Sequence, residues 1–595
     1  MVLFLVDNVS FEEMMAVPEF RRLSRAGGAG LMTSRMPAGP VRTSSVETIL
    51  AGANEGDSGA MTRALQAHEI SMCVLSSMNP RSVRCPSSSL VTDSDALVMV
   101  TSVAMGNAEG RRAAARLLGD LVGDLSIPRT LVLAVSLGPS AAMDLAGDEV
   151  MPVVMAQGPS PQILSGRGPE KALTSDTTRR DGLVSNVDVA PTILDFFGVS
   201  IPPEIEGQPI RVAESAAPFD LHQRHLEQRR IRVPIQVGEV SFIAVLGVMA
   251  IGALIVLAAR GSLPSNVARA MRLLALCGMA LPIPLLMGGI LPRLTYWVVI
   301  PFLVLSVLGL AGLSLAARWS RPVGPLSFLG AVGLGVLLVD ALLGWRGARI
   351  PLLGGTMFEG VRFYGLPNAF TALLLASTLF VAFRLDPFGG LLLLLGAGLF
   401  AGFPGLGADI GGSITLFTAA GLWWVLRTRP RLGLRELALA GGVVAIGLAV
   451  VLLAHRYLAG AATHASRFVD ETGTTGEAAR AFLDRLEGGF RMLNETPPAY
   501  IPLLGLPIIL WLLLARPGPI GRGLDLAGRA WRDVLVVLVV SGIVAFFVND
   551  TGVAAAGPVF LYAMAGIVYP ALVIGGQGRR RVAGEAPAER SLDSP

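Results

Sequence analysis

The stretch LTYWVVIPFLVLSVLGLAGLSLAARWSR, residues 294–321, stays apolar for one membrane thickness and then turns basic at Arg318 and Arg321. A helix of about 20 apolar residues covers a hydrocarbon core of ~30 Å. The pattern repeats between Ser241 and Ile574. It predicts spans at 241–259, 268–290, 294–317, 323–344, 366–384, 388–402, 411–427, 436–454, 498–515, 533–548 and 553–575. Composition points the same way. Hydrophobic residues make up 52%, charged residues 15%, and mean hydropathy is +0.61, away from the balance of a soluble globular chain. The expected architecture is a soluble α/β domain over 1–212, a linker over 213–240, an all-α transmembrane bundle of about 11 helices over 241–575, and a disordered cytoplasmic tail over 576–595.

Arginine sets the expected orientation. Alternate connections carry Arg260, Arg269 and Arg272; Arg318 and Arg321; Arg384; Arg427, Arg429, Arg431 and Arg435; Arg516, Arg522, Arg529 and Arg532, and the tail adds Arg579, Arg580 and Arg581. The positive-inside rule places these in the cytoplasm. With an odd span count the carboxyl terminus is inside and the soluble domain outside, in the plasma membrane of its cell. A domain of that size needs an export signal, so a signal or anchor is expected upstream of Met1; the alternative is a miscounted span and a cytoplasmic domain. The net charge of +4 comes from arginines scattered between spans, with Lys171 the sole lysine, so no nucleic-acid partner is expected. Of the three cysteines, Cys73 and Cys85 are a possible pair if their domain faces an oxidising compartment.

The soluble domain opens on Leu3-Phe4-Leu5-Val6, a buried-strand run ending at Asp7. Leu131–Val135 and Val153–Met155 are further apolar runs, with helical patterns such as 111–122 between them. Such alternation predicts an α/β domain with a mostly parallel sheet, in which function gathers at the carboxyl ends of strands.

The opening strand, Thr43-Ser44-Ser45, and the late block Asn186-Val187-Asp188-Val189-Ala190-Pro191-Thr192-Ile193-Leu194 together resemble the alkaline phosphatase superfamily across residues 1–212. The resemblance implies that Asp7 stands where that family has a metal ligand, and Thr43 or Ser44 where it has a nucleophile. It also implies two metals held by Asp and His ligands. Here the chain departs from the family. Where an Asp-His-Gly is expected at the end of a late strand, the sequence reads Ser136-Leu137-Gly138. A hydroxyl and a leucine do not replace a carboxylate and an imidazole. A degenerate, non-hydrolytic domain is therefore expected, with Asp7, Thr43 and Ser44 as vestigial positions. No cofactor is expected; a divalent metal, held by Asp7 with Asp181 or Asp188, belongs only to an enzyme reading. Asp188 is otherwise expected to cap the helix that Pro191 starts. The fusion also resembles a group of bacterial envelope proteins with a phosphatase-like domain on a polytopic membrane region.

In the bundle, polar residues are informative where lipid makes them costly. They collect on the expected outer side: Glu359, Arg362, Tyr364 and Asn368 in the loop from Gly354; Asp409 in the loop from Gly402; His455; and Asn549 with Asp550. Arg362 would hold an anionic group, and the carboxylates would act as cation ligands or a general base. Each motif also fits a capped, solvated turn. An amphipathic helix is expected at 476–493, on the interface or against the soluble domain. The residues point first to a protein that binds, presents or transports an anionic lipid or glycan in the bilayer. A phosphoester hydrolase or phospho/glycolipid transferase, and a scaffold for envelope-assembly proteins, are the rival readings.

Overall fold

A computed structural model of the chain describes residues 1–7, 9–33, 59–76, 96–104, 108–123, 130–137, 150–159, 169–202, 204–214, 220–232, 234–237, 263–354, 357–359, 363–429, 433–458, 500–549 and 552–575, with Ile163, Ser165, Gly247 and Ile251. It divides into two compact units. The first is Met1–Glu227 with Gly355–Phe363; the second is Gln228–Gly354 with Tyr364–Pro595.

The first unit is built on strands β1 (Val2–Asp7), β2 (Gly28–Thr33), β3 (Ser71–Ser76), β4 (Ala96–Ala104), β5 (Thr130–Ser136), β6 (Val150–Gly158), β7 (Leu173–Ser175), β8 (Leu183–Ser185) and β9 (Ile210–Val212). Seven of them form one sheet in the order β3-β4-β1-β5-β6-β2-β8, and β7 pairs with β9 in a second. The apolar runs of β1 and β5 lie at its centre, where burial on both faces demands continuous hydrophobicity. Alternation splits the core. On one face Leu3 and Leu5 join a cluster with Met61 and Leu65 of α3 (Ala60–Ala67) and with Val189 and Ile193 of α5 (Val189–Phe197). On the other, Phe4 meets Phe20 edge to face, the latter on α2 (Pro18–Ala26), which follows α1 (Phe11–Met15). Helix α4 (Ala108–Gly123) follows β4.

The sheet is mixed: among the described residues four of its six pairings are parallel, and β6 is the one strand that departs from the parallel expectation. β1 runs parallel to β4 and β5, β3 to β4, and β2 to β8, but β6 is antiparallel to both β5 and β2. β6 lies beside β5, the strand before it in sequence, and such a neighbour pairs antiparallel without a crossover helix.

The second unit is helical: α6 (Ser265–Ala280), α7 (Pro282–Leu286), α8 (Tyr296–Ala316), α9 (Gly324–Leu342), α10 (Asn368–Ala382), α11 (Pro387–Gly402), α12 (Ile410–Thr428), α13 (Leu434–Leu458), α14 (Tyr500–Ala515), α15 (Gly518–Ala527), α16 (Arg529–Val548) and α17 (Val553–Gly575). Among the described residues, six segments are long and apolar enough to cross a membrane: 265–290, α8, α9, α13, α16 and 555–574. A seventh counts if α14 and α15, bent by 74°, are one broken span. The chain is thus a multi-pass membrane protein, and the expectation of 11 spans is corrected to six or seven among the described residues.

The physical reasons are local. Pro367 and Pro387 delimit α10 and α11, which hold 15 and 16 residues. At 1.5 Å per residue they reach about 22–24 Å, less than the ~30 Å core. α12 has 19 residues, but Gly411, Gly412, Ser413, Thr415, Thr418 and Arg427 dilute its hydropathy. The expected span 241–259 lies outside the described residues except Gly247 and Ile251, as do the helix expected at 476–493, Cys85 of the expected cysteine pair, and the tail.

Side-chain contacts give the helical unit two unlike ends. α12 and α16 run antiparallel: Arg427 near the end of α12 stands 3.7 Å from Asp533 near the start of α16, while Gly411 at the start of α12 meets Asn549 just past α16. The Arg427 end also holds an Arg516–Asp525 ion pair, and Arg532 stands 3.7 Å from Asp525. The Asn549 end is rich in glycine and polar groups, with Asp409, and with Arg346 and Arg349 in the turn after α9 and Arg456 in the last turn of α13.

Candidate functional site

At the carboxyl ends of β1 and β5, where the phosphatase resemblance places its metals, Asp7 lies in register with Ala104 of β4, and Val6 with Ser136 of β5. The buried Ser136 hydroxyl accepts the Val9 amide at 3.2 Å, and the Leu137 amide is donated to the Val6 carbonyl at 2.8 Å. The positions flanking this strand end are thus Ala104 opposite Asp7 and, opposite Val6, a Ser136 hydroxyl already holding a backbone amide. This donor set does not fit a two-metal centre. Among the described residues no group of three His, Cys, Asp or Glu side chains is placed to hold a metal ion. Thr43 and Ser44 lie outside the described residues.

The late block does something else. Asp188 is fully buried and its carboxylate accepts four hydrogen bonds: from Ser175 Oγ at 2.6 Å, Thr177 Oγ1 at 2.5 Å, the Ser185 amide at 2.8 Å and the Gln208 amide at 3.0 Å. Thr192 Oγ1 donates to the Asp188 carbonyl at 2.6 Å and accepts the Ile210 amide at 2.8 Å. A Cβ on Gly207 would overlap the Val187 carbonyl oxygen, so glycine is what lets the 207–210 backbone close over this turn. Burial pushes the Asp188 carboxyl up, against the lowering effect of its hydrogen bonds from Ser175, Thr177, Gln208 and Ser185. The expected helix cap is corrected: the side chain turns back to Ser185, and no side chain caps α5. With its acceptors engaged in this knot, Asp188 is not a ligand for an ion at Asp7.

The polar end of the helical unit is the better candidate. Asp409, 2% exposed, caps α12 by accepting the Gly412 amide at 3.1 Å. Its other oxygen accepts Thr371 Oγ1 of α10 at 2.7 Å. Its own amide is donated to the Ala401 carbonyl at 2.7 Å. Asn549 stands against Gly411, two residues further on. Buried His455 bonds through Nε2 to the Gly402 carbonyl at 2.8 Å, and Ser413 Oγ donates to the Gly398 carbonyl at 2.5 Å. The loop 363–368 joins the same end, because the Leu366 amide is donated to the Gly407 carbonyl at 2.8 Å. Trp345 Nε1 donates to Leu406 at 2.9 Å and brings in the turn after α9.

Of the residues singled out from sequence, Asp409, His455 and Asn549 therefore gather on the loop 402–413 that the Leu366 amide ties to the strand of loop holding Tyr364 and Asn368. The latter two are half-buried. Glu359 lies in a short 3-10 turn, Met357–Glu359, of the first unit. Arg362 and Asp550 lie outside the described residues. Sequence reading missed Thr371 and Ser413, whose roles depend on partners 38 and 15 residues away. It also missed Asp340, which accepts the Gly347 and Ala348 amides at 2.6 and 3.0 Å and holds the turn after α9. These hydrogen bonds make Asp409 and His455 supports for the loop backbone. The chemistry they permit is binding by a preformed rim.

No family model, curated protein or solved structure matches the chain.

Proposed function

We propose that this multi-pass membrane protein binds and presents, or moves, an anionic lipid or glycan at the polar end of its helical unit, and that its first unit is non-hydrolytic. The observation that carries the reading is the convergence of the loops 363–368 and 402–413 with Asn549 on the end opposite Arg427, Arg516 and Arg532. Intramembrane polar residues are costly to keep unless they serve packing or a ligand. Under the positive-inside rule the end with Arg427, Arg516 and Arg532 is the cytoplasmic one, which puts the polar end outside. Tyr364 and Asn368 supply neutral donors at the rim, and Arg362 belongs to the same loop in sequence. Ala104 opposite Asp7, and the sequence Ser136-Leu137-Gly138 where the resemblance expects Asp-His-Gly, support the non-hydrolytic reading of the first unit.

Hydrogen exchange of the full chain in nanodiscs tests this. Adding short-chain phosphatidylglycerol, or in parallel a sugar phosphate, is expected to slow exchange in 363–368 and 402–413. Short-chain phosphatidylcholine is expected to leave it unchanged, and Tyr364→Phe with Asn368→Ala to weaken the response severalfold. Equal exchange with and without both anionic probes contradicts the proposal. Phosphoester turnover that needs Asp7 would replace it with the hydrolase reading.

A further inference from the structure

Along one side of the helical unit, α6, α7, α8 and the helical residues Ile231, Pro234 and Ile235 line a cavity of about 470 Å³. Its lining includes Ile231, Leu274, Cys277, Ile300, Val304 and Leu308, and it opens sideways between half-exposed positions of α8. A pocket of this size and character suits an apolar ligand. Its two ends differ. At one end stands Tyr296, whose hydroxyl donates to the Arg230 carbonyl at 3.0 Å, with Arg230 itself exposed. From Tyr296 to Leu308 the cavity follows α8 for about 18 Å at 1.5 Å per residue. Half of the ~30 Å hydrocarbon core is ~15 Å. The cavity thus begins at an aromatic and basic rim, as at a membrane interface, and runs about one leaflet deep.

We propose that this groove is a binding site for one anionic phospholipid of the bilayer, its acyl chain lying along Ile300, Val304 and Leu308 and its phosphate facing the Arg230 guanidinium. The length of the cavity selects an acyl chain, and the single-ended charge selects an anionic headgroup. The site shares no residue with the Asp409 rim and rests only on the chain being a membrane protein.

The test uses the full chain in nanodiscs with phosphatidylglycerol carrying a diazirine on its acyl chain, with adducts mapped by mass spectrometry. Adducts are expected to concentrate at Ile300–Leu308. Excess phosphatidylglycerol should compete at least tenfold better than phosphatidylcholine. Val304→Trp, which fills the groove, should abolish labelling there. Leu313→Trp, on the same helix but outside the groove, should leave it intact, and both variants should elute as single species. Arg230→Gln should remove the headgroup preference and keep the acyl adducts. Labelling spread evenly over exposed positions such as Leu313, Leu338 and Leu342 overturns the proposal. So does cross-linking of a photoreactive residue at position 304 to residues 241–259, because the chain itself then fills the groove.

Discussion

Asp188→Ala is expected to destabilise the first unit by ~3–5 kcal/mol, among the larger effects a single substitution produces. The change removes the acceptor for two hydroxyls and two amides around a buried carboxylate: Ser175 and Ser185, which are buried, and Thr177 and Gln208, which are half-buried. Each buried donor left without a partner costs ~1–3 kcal/mol, and relaxation recovers part of the sum. Thermal unfolding of the full chain in detergent measures the loss, and hydrogen exchange locates it at β7, β9 and the start of α5. The same carboxyl shapes the pH dependence. Its folded value is raised above the ordinary 3.8. A raised folded value gives stability that is fully present below the unfolded value and is lost as pH rises through the folded one. Wild type is therefore expected to gain stability relative to Asp188→Asn as pH falls from neutral toward 4. Equal pH profiles would show that the carboxyl titrates alike in both states.

Gly365→Ala is expected to unlock the polar end. Gly365 has φ +83°, in the left-handed region where a side chain is strained, and a Cβ there would overlap the Gly407 carbonyl oxygen. That carbonyl accepts the Leu366 amide and so holds the two loops together. Strain of ~1–2 kcal/mol adds to a backbone overlap that only separation of the loops relieves. Exchange at 363–368 and 402–413 should rise by an order of magnitude or more. Gly405→Ala is the control in the same glycine-rich loop: a Cβ there meets nothing within 4 Å, and exchange should stay as in wild type. A Gly365→Ala protein with native exchange would mean the loops are not held by this contact.

What was legible in the sequence was what depends on short-range pattern. The buried run Leu3–Val6 reads as a central strand because both faces must be apolar, and Phe4 and Leu5 do face opposite layers. Asp409 ahead of Ile410 reads as a helix start, and it caps α12. The errors arise where distant partners decide. Asp188 ahead of Pro191 reads as a local cap, but the hydroxyls that claim it lie 11 and 13 residues earlier. The apolar window at 366–384 counts residues beyond the ends of α10, whose start Pro367 sets; the window at 388–402 matches α11, which is itself too short for the hydrocarbon core. The span expected at 498–515 stops where α14 stops, at Ala515, ahead of the bend at Arg516 and Pro517. The polar end was readable as loops sharing one side. The bonds that join those loops, Leu366 to Gly407 and Thr371 to Asp409, link segments about 40 residues apart and leave no local mark.

The central claim is that the polar end faces outside and the arginine end faces the cytoplasm. Single cysteines in a background with Cys73, Cys85 and Cys277 replaced by serine, probed in intact cells with a membrane-impermeant maleimide, test it most directly. Cysteine at Gly405, exposed in the loop after α11, should label in intact cells. Cysteine at Arg429, exposed just after α12, should label only after permeabilisation. Labelling of position 429 from outside, with position 405 protected, would invert the protein and contradict the account.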